Sequence, residues 1–209
     1  MPRGALAVAA VLLAGALFLL ARTSPREAVE PVIAAVRAAG PGWYFLAMAV
    51  LPLPLAWFTV PSGEAFAAQL TLPGVILAGA TAVAVQLTLS YWLARYALRP
   101  LAGRLVRRRG LEVPRVTPAN ALSIALLVRL TPGPPMFLGS CVLAMAEMRF
   151  GLYLIVSWLV ALPWVCAGVI LGRGLLQGNF TLAATGVGVL LAAGIATRLI
   201  RRRWSAPKP

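Results

Sequence analysis

Histidine and aspartate are both missing from this chain of 209 residues, and its single lysine is Lys208. Without histidine there is no imidazole to bind zinc or act as a general base. Without aspartate as well, Ser-His-Asp chemistry is absent. Charge of either sign is scarce at 11% of residues, under half the roughly 25% of a soluble globular protein. Hydrophobic residues reach 61% and mean hydropathy is +0.88. Such a chain cannot cover its surface with polar groups, so it reads as an all-α integral membrane protein of one domain or two small ones. A soluble enzyme, a nucleic-acid-binding domain and a disordered tail are disfavoured.

Five acids stand against nineteen bases, a net +14, and the excess is clustered. Residues 95–115 hold seven Arg and one Glu, and the end from Arg198 holds four Arg and Lys208. Basic residues beside spans mark the cytoplasmic side and meet anionic lipid. No aromatic interleaving or reader motif accompanies them, so no nucleic-acid partner is expected. Cys141 and Cys166 lie in apolar stretches without ligand spacing and read as packing residues. No metal and no cofactor are expected.

The apolar run 4–21 is long enough to span, and no clean small-x-small site precedes Arg22, so residues 1–23 read as an N-terminal transmembrane anchor rather than a signal peptide. Residues 24–40, opening on Ser24, have the pattern of an interfacial amphipathic helix. Prolines 52, 54 and 61 break residues 41–70, and 72–94 is an almost unbroken apolar run. Residues 118–146 are interrupted after Arg129 by Thr131-Pro132-Gly133-Pro134-Pro135. The runs 150–172 and 180–197 are each long enough to span, and 175–209 forms a C-terminal span with a basic tail.

Parity then selects a topology. If 118–146 crossed fully, the basic tail would lie opposite the basic 95–115 loop. If it enters and returns, both lie in the cytoplasm, as the positive-inside rule favours. By the same logic 41–70 dips in from the other face. The expected fold is an inverted repeat of two re-entrant helical hairpins, near 41–70 and 118–146, each followed by a transmembrane helix. An N-terminal and a C-terminal span complete it, in the inner (plasma) membrane with both termini cytoplasmic. In transporters such broken helices place unpaired backbone groups at the midplane.

Two stretches resemble a known family. VPSGEAFAAQLTLPGVILAGATAVAVQLTLSYWLARY is similar to the Pro-Gly-Glu hairpin and following Gly/Ala-rich span of the DedA proteins, whose membrane unit, the VTT domain, is shared with SNARE-associated Golgi proteins. LLVRLTPGPPMFLGSCVLAMAEMRFGLYLIVSWLVALPWVCAGVILG is similar to their Arg-x-x-Pro-Gly hairpin and its span with a central Pro-Trp. The resemblance covers roughly 24–174 and implies a VTT-like unit over 41–174. It implies a lipid translocator, as in flippases for undecaprenyl phosphate and phospholipid scramblases. It puts the family's hairpin acid on Glu64, with Pro61 and Gly63 as its break, and the hairpin arginine on Arg129, with Pro132 and Gly133 following. The chain departs from the family at Pro135, where a second Arg is frequent, at Leu87, where Asp is frequent, and in the extra Ser62.

Glu64 is the one acid between residues 31 and 111. It reads either as a proton-titrating carboxylate or counter-charge to Arg129, or as a helix cap at the outer interface. Arg129 ends an apolar half-helix. Its planar donors match phosphate oxygens, and the alternative is a structural tie to freed carbonyls near Thr131 or to Glu64. Pro61, Ser62 and Gly63, and Pro132, Gly133, Pro134 and Pro135, read as hairpin breaks. Together these point to a flippase or scramblase for a phosphate-bearing lipid, with proton coupling and homo-oligomerisation left open. A membrane scaffold using small-residue faces such as GATAVAVQLTLS is the alternative. A membrane-embedded lipid-phosphate enzyme ranks last, since Glu64 alone could act as base or nucleophile.

Overall fold

The structure, a computed structural model, describes residues 25–98, 120–131 and 136–205. The expected anchor at 1–23, most of the basic loop after residue 98, and the breaks Pro132, Gly133, Pro134 and Pro135 lie outside these residues. Every regular element among the described residues is helical: α1 (Pro25–Val50), α2 (Leu55–Leu93) with a π-helical turn Ala94–Leu98, α3 (Ala121–Leu130), α4 (Met136–Met145), α5 (Phe150–Gln177) and α6 (Phe180–Ser205). Four of these are long and apolar enough to cross a membrane: Glu30–Val50, Leu55–Ala97, Phe150–Gln177 and Phe180–Ile200. The 28 residues of α5 extend about 42 Å at about 1.5 Å each, beyond the roughly 30 Å of a hydrocarbon core. Large apolar side chains face outward, among them Trp43, Trp57 and Phe180.

Helices α1 and α2 each contain a residue outside helical dihedrals: Gly40 (φ 76°, ψ 157°) and Thr71 (φ 62°, ψ 163°). This region is open to glycine and strained for a β-branched residue. Thr71 also accepts a hydrogen bond from the Gly74 N–H on its Oγ1 at 3.4 Å, which caps the segment beginning at residue 72.

Contacts with α5 give the direction of each half of α2. In the first half, Thr59 meets Gly168 and Gly63 meets Val169 and Arg173, so the numbers rise together. In the second half, Trp158 Nε1 donates to the Ala80 carbonyl (2.8 Å), Tyr153 Oη to that of Leu87 (3.0 Å), and Tyr91 Oη to that of Met148 (2.6 Å). There one number rises as the other falls. The chain therefore reverses at Thr71: residues 55–70 run along α5 and 72–93 run against it. Gln86 reaches back to the Leu51 carbonyl, tying the span to the start of the first half.

The break ahead of α2 is at residues 51–54 rather than at Pro61, Ser62 and Gly63, which lie inside the helix. Prolines 52 and 54 drive the residues before them to extended dihedrals, and Pro54 itself has ψ 131°. Pro61 keeps a helix-compatible φ and removes one hydrogen bond. A short helix, a positive-φ residue and a long helix follow one another twice: residues 55–70, Thr71 and 72–93, then α4, Glu147 (φ 59°) and α5.

Helix α5 is the centre of the packing, held by α2 on one side and α6 on another. Its Gly168-x-x-x-Gly172 face meets Thr59, Val60 and Gly63. A Cβ at Gly168 would overlap the Thr59 hydroxyl, and one at Gly172 or Gly63 would overlap a backbone carbonyl of the facing helix. Small residues thus let two backbones touch where no hydrophobic force separates lipid from protein. Gly178 (φ 66°) ends α5 in the left-handed conformation, and Asn179 Oδ1 accepts from the Leu182 N–H (3.1 Å) to start α6. Asn179 therefore has a capping role.

Candidate functional site

Arg129 sits in the last turn of α3, directly before the second break. Its guanidinium donates from Nε to Ser157 Oγ (2.8 Å), from Nη1 to the Met136 carbonyl (2.9 Å) and from Nη2 to Ser140 Oγ (2.9 Å). It also lies over the Tyr153 ring, 5.3 Å from its centroid. These contacts use three of the five N–H donors of an arginine. All three acceptors are neutral, and among the described residues Arg129 has no ion pair.

The acceptors are themselves fixed. Ser140 Oγ is 2.8 Å from Tyr153 Oη and 3.0 Å from the Met136 carbonyl. Each hydroxyl carries one proton, so two arrangements satisfy the cluster. Tyr153 donates to Leu87 while Ser140 donates to Tyr153, or Tyr153 donates to Ser140 while Ser140 donates to Met136. In both, Arg129 supplies its donors without competition.

Arg129 lines a cavity of about 360 Å³. The first turns of α2 (Leu55, Ala56, Thr59) and α4 (Met136, Gly139) form part of its wall, with Thr131 beside them and Trp164 and Gly168 of α5 opposite. Two helix N-termini therefore open onto one guanidinium. Each carries orphan N–H groups and the positive end of a helix dipole, and no side chain caps α2. The rest of the wall is largely apolar. A second cavity, about 390 Å³, is lined by Pro52, Pro54, Gln86, Ser90, Phe137 and Ser140.

Glu64 is elsewhere. Its Oε1 pairs with Arg37 Nη2 of α1 at 3.3 Å, and Arg37 Nη1 reaches Glu30 at 3.4 Å. Glu64 Oε2 is buried without a hydrogen-bond partner. Val169, which packs on Gly63, is 12 residues past Ser157, the α5 partner of Arg129. That is roughly 18 Å at about 1.5 Å per residue. Glu64 is therefore paired with Arg37 of α1 and is not the counter-charge expected for Arg129.

Several other expectations find a place. Ser62 Oγ donates to the Thr59 carbonyl (2.9 Å) and is buried inside α2. Trp164 lines the Arg129 cavity, and Arg173 reaches Gln177 at 3.3 Å on its own helix. Cys141 and Cys166 are free. No group of His, Cys, Asp and Glu able to hold a metal is present among the described residues. The small-residue face around Gly79 is taken up inside the protein, against Val165 and Phe45.

Three partners of Arg129 escaped the sequence reading. Tyr153 and Ser157 are four apart and share one face of α5, and Ser140 is one turn past the break. That spacing was the available signal, along with the Gly168-x-x-x-Gly172 pair. No family model matches the chain, and neither a curated protein nor a solved structure does.

Proposed function

We propose that this protein is a translocator of phosphate-bearing lipids, moving the headgroup between leaflets without covalent chemistry. One observation carries the reading: a half-buried guanidinium with neutral partners alone on the wall of a largely apolar cavity, faced by two helix N-termini. A buried cation without a counter-charge is unfavourable, and an anion relieves it. Planar donors suit phosphate oxygens, and helix N-termini add N–H groups that favour the same charge. The cavity is at the small end of ligand sites, which run about 300–1,000 Å³. It fits a headgroup, with the acyl or prenyl chains left in the bilayer.

In this reading the two helix–break–helix units are re-entrant hairpins, entering from opposite faces as an inverted repeat. The resemblance to the DedA and VTT proteins agrees with that arrangement. The protein sits in the inner membrane with both termini cytoplasmic, and the basic stretch after α2 meets anionic lipid. Glu64, with one carboxylate oxygen buried and unpartnered, is the proton-binding group if transport is coupled to a gradient.

The test is reconstitution into liposomes carrying a fluorescent phospholipid or a labelled polyprenyl phosphate, following headgroup exposure on the opposite leaflet. Wild type exchanges one of them, and Arg129→Ala does not, with melting unchanged. No exchange above protein-free liposomes for either lipid would overturn the reading.

A further inference from the structure

Two cavities adjoin and share two wall residues. Leu55 and Met136 line both. Each is the first residue of the helix that follows its break, Leu55 of α2 and Met136 of α4. Arg129 lines the first cavity while its partner Ser140 lines the second, so their 2.9 Å hydrogen bond joins one wall to the other. The partition is thus two apolar side chains beside one polar contact.

The cavities also lie in sequence along α5. The first is walled by α5 residues 160–171. The second lies beside Leu87, whose carbonyl accepts from Tyr153, and so is nearer the N-terminal end of α5. The second wall supplies the Gln86 amide and the hydroxyls of Ser90 and Ser140, polar groups without charge. The first therefore suits an anion at rest and the second suits one in passage.

We propose that Leu55 and Met136 form a gate between two headgroup stations, with the Arg129–Ser140 contact as the transfer point. This rests on the translocator reading and adds the path: a phosphate held by Arg129 leaves toward Ser140 when the gate opens. Both gate residues are suited to moving. Leu55 follows the non-helical residues 51–54, where a small change in backbone dihedrals swings a helix end. Methionine is unbranched with three rotatable bonds and reshapes at low energy. Closed, the two side chains keep water and ions from running through the protein.

The test reads accessibility, which does not depend on lipid exchange. In a chain carrying Cys141→Ala and Cys166→Ala, Ser90→Cys places a reporter in the second cavity. A membrane-impermeant charged thiosulfonate is added to proteoliposomes from one side at a time. With the gate intact, the reporter reacts from one side, at least tenfold faster than from the other. With Leu55→Ala and Met136→Ala added, the two rates come within about threefold, while Met136→Leu keeps the asymmetry. Equal rates before the gate is cut, or unchanged asymmetry after it is cut in a variant with wild-type melting, would overturn the gate.

A second measurement stands if the double variant does not fold. Leu55→Cys with Met136→Cys, bridged by a short bifunctional thiosulfonate, blocks lipid exchange, and reductant restores it. Exchange that continues through the bridged protein refutes the gate. Absence of lipid exchange by wild type, with the accessibility switch present, would sink the lipid reading and leave the gate standing.

Discussion

Replacing Arg129 with methionine separates a structural arginine from one kept for a ligand. The side chains have similar length, so the substitution removes charge and donors with little change in volume. Three hydrogen bonds disappear, to Ser157, Met136 and Ser140, each about 1.5–3 kcal/mol for a charged donor. Against this, the buried charge itself disappears, and its desolvation costs several kcal/mol. Ser140 retains Tyr153 and the Met136 carbonyl as partners, so Ser157 is the one hydroxyl that loses its side-chain partner. The terms nearly cancel, and the ligand-free variant should lie within about 2 kcal/mol of wild type. The ligand response differs. A phosphate-bearing lipid at a hundred times its dissociation constant adds about 2.7 kcal/mol to wild type. At roughly 2–4 °C per kcal/mol for a chain of this size, that is a rise in Tm of about 5–11 °C in detergent, and Arg129→Met should show none. A variant that melts far below wild type without ligand, yet gains the same stabilisation from the phosphorylated lipid, would refute the assignment of Arg129 to the anion.

Gly172→Val forces a side chain into the Val60 backbone carbonyl, so thermal unfolding should show a loss of about 1–3 kcal/mol. Gly188→Val, where a Cβ meets nothing, should shift stability by under about 0.5 kcal/mol, and equal effects would sink the close-packing argument. Thr71→Gly relieves a conformation that costs about 1–3 kcal/mol for a side-chain-bearing residue at the loss of a cap that glycine nearly replaces. Its Tm should rise, and a fall would show that residues 55–93 do not reverse there. Glu64→Gln should change stability by under about 1 kcal/mol, because Arg37 is half exposed, while making lipid exchange insensitive to a pH gradient. Exchange that still follows the gradient would remove Glu64 from proton coupling.

The long apolar elements were legible because hydropathy and length suffice to define them. The runs expected at 150–172 and 180–197 lie within α5 and α6. The end of α3 at Leu130 was legible too, since Arg129 stands directly ahead of Thr131-Pro132 in the sequence. The first break was misplaced because three prolines compete there. Pro61 looks like a breaker, yet it lies inside a helix that loses one hydrogen bond to it, whereas Pro52 and Pro54 act together. The reversal at Thr71 has no local signature, since threonine is not a residue expected at positive φ. The Glu64–Arg37 pair joins residues 27 apart, and the cradle of Arg129 draws on three helices. Such contacts follow from how the helices stack, and one sequence without an internal ruler for that stacking does not reveal them.

The absence of aspartate now has a positive meaning at the site. A carboxylate near Arg129 would satisfy its guanidinium internally and compete with any phosphate. Instead, the partners are two serine hydroxyls, a carbonyl and an aromatic face. These orient the arginine without neutralising it. The acid that does lie in an apolar stretch, Glu64, follows Gly63, which packs on α5 12 residues past Ser157, and it is paired with Arg37. Separating the two charges keeps Arg129 attractive to an anion, yet its neutral ligands bind more weakly than a buried ion pair would. A phosphate can therefore displace part of the cradle on arrival and release it on departure. That reversibility is what a translocator requires and what a site built for permanent binding would lack.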